Sequence, residues 1–529
     1  MKKRNLASIL SVAVIASSLF TAPILAAEGP SLMDPPVVEV EQGMLRGYMD
    51  GNTYAFLGVP YAQAERFAMP EAPEAWEGIK NAQAYGLTSL IPAQTAVGDD
   101  EMVWPHRYWI QGEDCQNLNI WTQSVDSSAK KPVMVFFHGG GYTNGSSIES
   151  AAYEGKNLSE YGDVVVVTVN HRLNVLGFLD LSAYGEEYKD SANVGIADLI
   201  ASLQWIHDNI EVFGGDPENV TIFGQSGGGG KVLSMLHAES AEGLVDKVIV
   251  ESGSYSPASR DITQKVAAKT LENLGLDESK VDEIKTVPYT DLIEAGTAAL
   301  DAVAEETGGR VRWIPSEGDL LQTDYCEWAK DVPIMVGSVF SEQTSTFRVG
   351  DGRHLEWTDE EIDTNLIERL GEGIDTAAIK AEFAEVFPDM HASDVVFYAP
   401  TNRVTVQNTL AGRIESTDAP VYSYLFTYEA PVNGGTSAFH CCELIYAFHN
   451  VDIPIVSRAT GGSDNKDAHV VQDTVASAWV NFAATGNPSQ DGLEWIPYTL
   501  EEPNVMRFDV ESSCGILGDD TLIELMNVQ

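Results

Sequence analysis

Short, uninterrupted apolar runs recur along the chain and alternate with longer stretches of helical period. The runs are Val133–Phe137, Val164–Val169, Val220–Phe223, Val248–Val250, Val332–Val336 and Tyr422–Phe426. They are β-branched and aromatic and are bounded by Gly, Pro, Asn or Asp, as expected of strands buried on both faces. Between them, Ile196, Leu199, Ile200, Leu203, Ile206 and Ile210 share one face of a helix predicted over Ile196–Ile210. Such alternation predicts an α/β fold with a mostly parallel sheet covered by helices on both sides. Val37–Tyr61 reads instead as antiparallel strand and turn. Two stretches rich in Ala, Glu and Asp, about 255–330 and 343–420, have helical spacing and lie between strands. They predict helical cap insertions in one domain spanning 28–529 rather than separate domains.

The first residues change this picture at one end. Lys2, Lys3 and Arg4 precede an apolar stretch from Leu6 to Leu25, and Ala26 and Ala27 offer a small-residue cleavage site. This is the pattern of a secretory signal over residues 1–27. The stretch is short, contains Ser17, Ser18 and Pro23, and nothing later resembles a second span, so the processed protein is expected to have no membrane span and to be secreted or periplasmic. The formal net charge of −48 argues against nucleic acid and anionic membranes as partners. It favours solubility, and it would also attract cationic substrates. Five cysteines, Cys115, Cys326, Cys441, Cys442 and Cys514, are too few and too scattered for a disulfide scaffold. None has zinc-site spacing, and they read as small buried apolar residues.

The chemistry gathers at two glycine-rich motifs. Gly224-Gln225-Ser226-Gly227-Gly228 matches G-x-S-x-G, with a strand pattern before it and a helix predicted over Gly229–Leu236 after it. A strand–turn–helix elbow exposes such a serine as a nucleophile. His138-Gly139-Gly140-Gly141-Tyr142 follows the run Val133–Phe137 and matches the H-G-G-G oxyanion motif. The expected oxyanion donors are the N–H groups of Gly140, Gly141 and Gly227. No G-K-[ST] accompanies the glycines, so a nucleotide site is not expected. A serine nucleophile needs a base and the base an orienting carboxylate, in the chain order Ser, acid, His. His440, His449 and His469 are equivalent candidates on this ground. Glu342, just beyond the run Val332–Val336, is a candidate acid among many carboxylates.

Longer motifs carry a resemblance. Phe56-Leu57-Gly58-Val59-Pro60-Tyr61-Ala62, Glu113-Asp114-Cys115-Gln116-Asn117-Leu118-Asn119-Ile120, Asn170-His171-Arg172-Leu173, Phe213-Gly214-Gly215-Asp216-Pro217 and Thr485-Gly486-Asn487-Pro488 occur in this order. From about Val37 to Asp509 the chain resembles the type-B carboxylesterase family, which implies the α/β-hydrolase fold and hydrolysis of small carboxylic esters without metal or organic cofactor. The resemblance implies Glu342 as the acid, within Ser341-Glu342-Gln343, and His440 as the base, within Phe439-His440-Cys441-Cys442-Glu443-Leu444. It implies Ser252 as a supporting serine behind them and a structural pair between Arg66 and Glu113. It also admits two rivals: a lipase of the family, and a non-catalytic binding protein on the same fold that has lost the serine or its partners. Departures are visible: Gln225 replaces a carboxylate that cholinesterases place beside the nucleophile, Cys441 replaces a small residue, and Cys115 has no upstream cysteine to pair with.

Overall fold

The computed structural model describes residues 35–93, 101, 104–342, 354–417, 419–432, 435, 437–526. The predicted signal segment 1–27 lies outside the described residues. The strands are β1 (Val37–Val40), β2 (Gly43–Arg46), β3 (Tyr48–Asp50), β4 (Thr53–Pro60), β5 (Ile79–Asn81), β6 (Asn117–Thr122) and β7 (Lys131–Phe137). They continue with β8 (Val165–Val169), β9 (Gly215–Gln225), β10 (Lys247–Glu251), β11 (Ile334–Val339), β12 (Val421–Phe426), β13 (Asn504–Phe508) and β14 (Ser513–Ile516). Eleven of them form one sheet in the order β14-β13-β12-β11-β10-β9-β7-β8-β6-β4-β3, and β1, β2 and β5 form a small second sheet. The centre, from β8 through β13, is parallel, and both flanks are antiparallel.

The apolar runs are continuous because both faces of the central strands are covered. Along β7, Val133, Val135 and Phe137 join one core layer while Met134 and Phe136 join the other. β10 and β11 split in the same way, with Ile249 and Met335 facing the second layer and Val248, Val250, Ile334 and Val336 the first. This is the two-residue alternation of a strand with no polar face. The predicted helix Ile196–Ile210 is the helix Val194–Asn209, whose Ile196, Leu199, Leu203 and Ile206 pack in the first layer. The stretches 255–330 and 343–420 hold helices Arg260–Asn273 and Tyr289–Thr307, and Asp359–Leu370, Thr376–Val386 and Pro400–Ser416. No described helix is long and apolar enough to cross a membrane.

A buried ion pair fastens the first layer to the chain that follows β8. Arg172 and Asp198 are 4% and 0% exposed, and their side chains meet through two bonds, Nε to Oδ2 at 2.8 Å and Nη2 to Oδ1 at 2.7 Å. The guanidinium also donates to the carbonyls of Glu65 and Ala68, so its hydrogen-bonding capacity is well used. Asp198→Ala would strand a buried guanidinium, and a loss of about 3–5 kcal/mol is expected. A denaturant midpoint series on wild type and variant measures it, and a loss below about 1 kcal/mol would show that the pair is not buried in solution.

Candidate active site

β9 ends at Gln225, the helix Gly227–Met235 begins at Gly227, and Ser226 alone makes the turn. The helix therefore starts two residues earlier than its sequence pattern suggests. Ser226 has φ 59° and ψ −123°, a strained conformation for a residue with a Cβ. Its N–H donates to the Glu251 carbonyl at 2.8 Å, which pins the elbow to the end of β10. The glycines around it leave no alternative. A Cβ on Gly228 would lie 2.0 Å from the Phe137 carbonyl oxygen, and one on Gly227 would lie 2.4 Å from Gly141 Cα. One on Gly229 would lie 2.8 Å from Gly253 Cα. The elbow is thus wedged between the ends of β7 and β10 with backbone against backbone.

The loop after β7 lies beside the serine, with the Cβ position of Gly139 3.6 Å from Ser226 Cβ. Gly140 and Gly141 have φ 78° and 63°, and Asn144 closes a turn on the Gly140 carbonyl at 3.0 Å. In this arrangement the N–H groups of Gly140 and Gly141 donate to no group among the described residues. Gly227 opens its helix, so its N–H has no partner within that helix. Lys231, on the same helix, is fully buried and donates Nζ to the His138 carbonyl at 2.8 Å. Burial lowers its pKa to about 7.

Glu342 and His440 are brought together by the backbone. Ser341 N–H donates to the Ala438 carbonyl at 2.8 Å, and His440 N–H donates to the Glu342 carbonyl at 3.1 Å. A parallel bridge between Glu342 and Phe439 results. Across it, His440 Nδ1 lies 2.5 Å from Glu342 Oε2, while Glu342 Oε1 accepts from the Val339 N–H at 3.2 Å. Glu342 is 1% exposed, and His440 lines the same cavity as Ser226. The hydrogen bonds of the His440 ring run to Glu342 and Gln225, and none joins it to Ser226 Oγ. The other two histidines are engaged elsewhere: His449 with Asp473 at 2.9 Å and His469 with the Ser463 carbonyl at 2.8 Å. Ser252 adopts φ 52°, but its buried Oγ reaches neither Glu342 nor His440.

Gln225 lies beneath this pair, with Nε2 3.2 Å from His440 Nδ1 and Oε1 2.9 Å from Cys441 Sγ. Cys441 has φ 76°, a conformation that favours glycine, and burial pushes its thiol well above the usual range. All five cysteines are free, and burial raises the Cys115 thiol to about 12. Arg66 and Glu113 pair through two bonds, Nε to Oε2 at 2.6 Å and Nη2 to Oε1 at 2.5 Å. Two further carboxyls lie below the site. Glu251 accepts from Trp479 Nε1 at 2.8 Å, and burial pushes it up to about 8. Glu443 is fully buried with neither oxygen hydrogen-bonded, and burial, then Glu251 and Glu342, hold it well above the carboxylate range.

The cavity over Ser226 has a volume of about 690 Å³. Trp104, Tyr108 and Trp109 all line it, together with Tyr153 and Phe439. Tyr108 is 59% exposed and Trp109 39%, at its outer part. None of its lining residues comes from the described parts of 255–330 or 343–420. Sequence reasoning passed over Lys231; a charge inside the apolar helix pattern Lys231-Val232-Leu233 was the signal available.

The profile of the carboxylesterase family matches residues 34–516. The para-nitrobenzyl esterase of Bacillus subtilis (strain 168) is 31% identical over 500 residues, covering 90% of this chain and 96% of that one. Among solved structures, an esterase from the anaerobe Clostridium hathewayi, described as able to hydrolyse aliphatic aromatic polyesters, superposes with a TM-score of 0.83 at 38% identity, covering 93% of this chain and 97% of that one. A carboxylesterase of Geobacillus stearothermophilus superposes with a TM-score of 0.72 at 28% identity, covering 93% and 100%.

Glu251 yields a prediction about pH. The folded chain keeps its proton up to about 8, whereas the unfolded chain releases it near 4.5. Its contribution to stability is therefore intact below pH 4.5 and declines as pH rises towards 8. Glu251→Gln keeps an acceptor for Trp479 and removes the titration. Relative to this variant, wild type is expected to lose up to about 1.4 kcal/mol per pH unit across that window. Thermal unfolding at several pH values tests this, and parallel curves would contradict it.

Proposed function

The chain belongs to the carboxylesterase family and is a carboxylic ester hydrolase of the α/β-hydrolase fold; on that premise, we propose that Ser226 is its nucleophile, His440 its general base and Glu342 the acid that orients the base. The observation that carries the reading is the convergence of three independent segments on one cavity. A strained serine stands at a strand–helix elbow, and an imidazole held to a buried carboxylate at 2.5 Å lines the same wall. A loop with undirected N–H groups lies opposite.

In the proposed reaction Ser226 Oγ attacks the ester carbonyl as its proton passes to His440 Nε2. The developing oxyanion is held by the N–H groups of Gly140, Gly141 and Gly227, each worth about 3–4 kcal/mol of the barrier. His440 then gives the proton to the leaving alcohol, and the acyl group remains on Ser226. Water, activated by the same imidazole, releases the acid and restores the serine. Glu342 holds Nδ1–H, so Nε2 is the nitrogen that accepts. Lys231 supports the oxyanion loop from behind through the His138 carbonyl. Ser252 would act only through the backbone that surrounds the acid and base. No step needs a cofactor.

We read the substrate as an ester bearing a bulky or aromatic part. The support is the exposed Tyr108 and Trp109 in the outer cavity and the likeness to an esterase described as able to hydrolyse aliphatic aromatic polyesters. We also read residues 1–27 as an export signal, from Lys2, Lys3 and Arg4 followed by the apolar stretch to Leu25.

Ser226→Ala is expected to lower kcat/KM for para-nitrophenyl butyrate by at least about 10⁴-fold, and Glu342→Gln by about 10³–10⁴-fold with KM little changed. A phosphonate reagent should add to Ser226 alone, read by peptide mass spectrometry. Full activity in the alanine variant, or an adduct on another serine, would overturn the assignment. Trp109→Ala should raise KM for aromatic esters more than for acetate esters, and equal effects on both would refute the substrate reading.

A further inference from the structure

Away from the active site, three titratable side chains converge from segments far apart in the chain. His354 belongs to a single helical turn, His354–Glu356, and Asp394 to another, Ala392–Val396. Glu429 lies in the loop that leaves β12. One ligand atom from each of the three lies within 4.8 Å of the others, and His354 Nε2 is 3.5 Å from Asp394 Oδ1.

Among the described residues these atoms are buried without hydrogen-bond partners. His354 is 0% exposed, and neither of its ring nitrogens makes a hydrogen bond. Asp394 is 1% exposed; its Oδ2 accepts from the His391 N–H at 2.8 Å, but its Oδ1 accepts nothing. Glu429 Oε1 is also buried and unpartnered. Each unsatisfied buried polar atom is costly, and two carboxylates in one pocket repel each other. Aromatic rings pack around the imidazole, with Phe397 5.1 Å and Trp357 6.2 Å away between centroids, so water is poorly placed to satisfy it.

We propose that His354, Asp394 and Glu429 bind a divalent first-row metal ion. One imidazole and two carboxylates form an N/O donor set that such ions accept. At metal–ligand distances of about 2.0–2.1 Å, tetrahedral ligands stand about 3.4 Å apart, the spacing of the His354 and Asp394 atoms. A cation there takes one ligand atom from each of the three side chains, leaving one His354 nitrogen free of the metal, and cancels the repulsion of the acids. The site lies outside the catalytic cavity, so its role is structural. It joins the segment downstream of Glu342, the helical insertion and the loop upstream of His440.

The test is elemental analysis of untagged full-length protein, with thermal unfolding in parallel. About one zinc, manganese or iron ion per chain is expected. EDTA should remove it and lower Tm by several degrees, and adding back the same ion as its chloride salt should restore Tm. His354→Ala and the near-isosteric Glu429→Gln should each lower metal content at least tenfold, while a soluble Glu429→Gln retains esterase activity at low temperature. The second variant keeps the test decisive if the first does not fold. Metal-free protein whose Tm ignores EDTA and added zinc, manganese or calcium would overturn the proposal, and would mean a proton shared between the two acids. Undiminished metal in both variants would overturn it as well.

Discussion

The contact of backbone with backbone at the end of β9 governs the rest of the site. Gly227, Gly228 and Gly229 press against Gly141, the Phe137 carbonyl and Gly253 at separations that admit no side chain. That contact forces the helix to begin at once and leaves Ser226 in a conformation it would not choose. It also brings the loop after β7 alongside, because the residue touching Gly227 is Gly141. A strained serine and its neighbouring N–H groups are therefore one structural consequence, not two separate arrangements.

Charge under this elbow is handled by burial. Glu342 is the carboxylate that meets His440, while Glu251 and Glu443 lie deeper and are held towards their protonated forms by desolvation. Holding these two towards neutrality keeps additional negative charge away from the imidazole. Gln225 fits the same logic: it places a neutral amide, not a carboxylate, beside His440 and accepts from the Cys441 thiol. Lys231, with a pKa lowered to about 7, is bonded to the start of the loop after β7, and it acts on a carbonyl rather than in the open cavity.

The central strands were legible because burial on both faces writes an unbroken apolar run. β9 was legible only in its second half. Its beginning, Gly215–Asn219, is largely polar and pairs with β7 while partly exposed, so it has no apolar signal. The turn at Ser226 and the glycine loop after β7 were legible because crowding demands glycine, and glycine is visible in a sequence. Which of His440, His449 and His469 meets Glu342 was not, since that depends on the bridge that pairs Glu342 with Phe439 across a long separation. The resemblance to a family pointed to His440 where the residues alone were equivalent. Likewise, nothing local to His354, Asp394 or Glu429 announces their meeting. Lys231 was visible as a charge in an apolar pattern, but its partner, a carbonyl, has no sequence signature.

The outer cavity has a different character from its floor. Trp104, Tyr108 and Trp109 reach it from a loop on the antiparallel side of the sheet, and no described residue of the helical insertions lines it. The outer aromatic residues Trp104, Tyr108 and Trp109 are thus carried by chain that takes no part in the elbow or in the bridge between Glu342 and Phe439. Replacing a residue of that loop therefore changes the mouth of the cavity without touching the elbow, whereas a side chain added at Gly227, Gly228 or Gly229 must move the backbone packed against it.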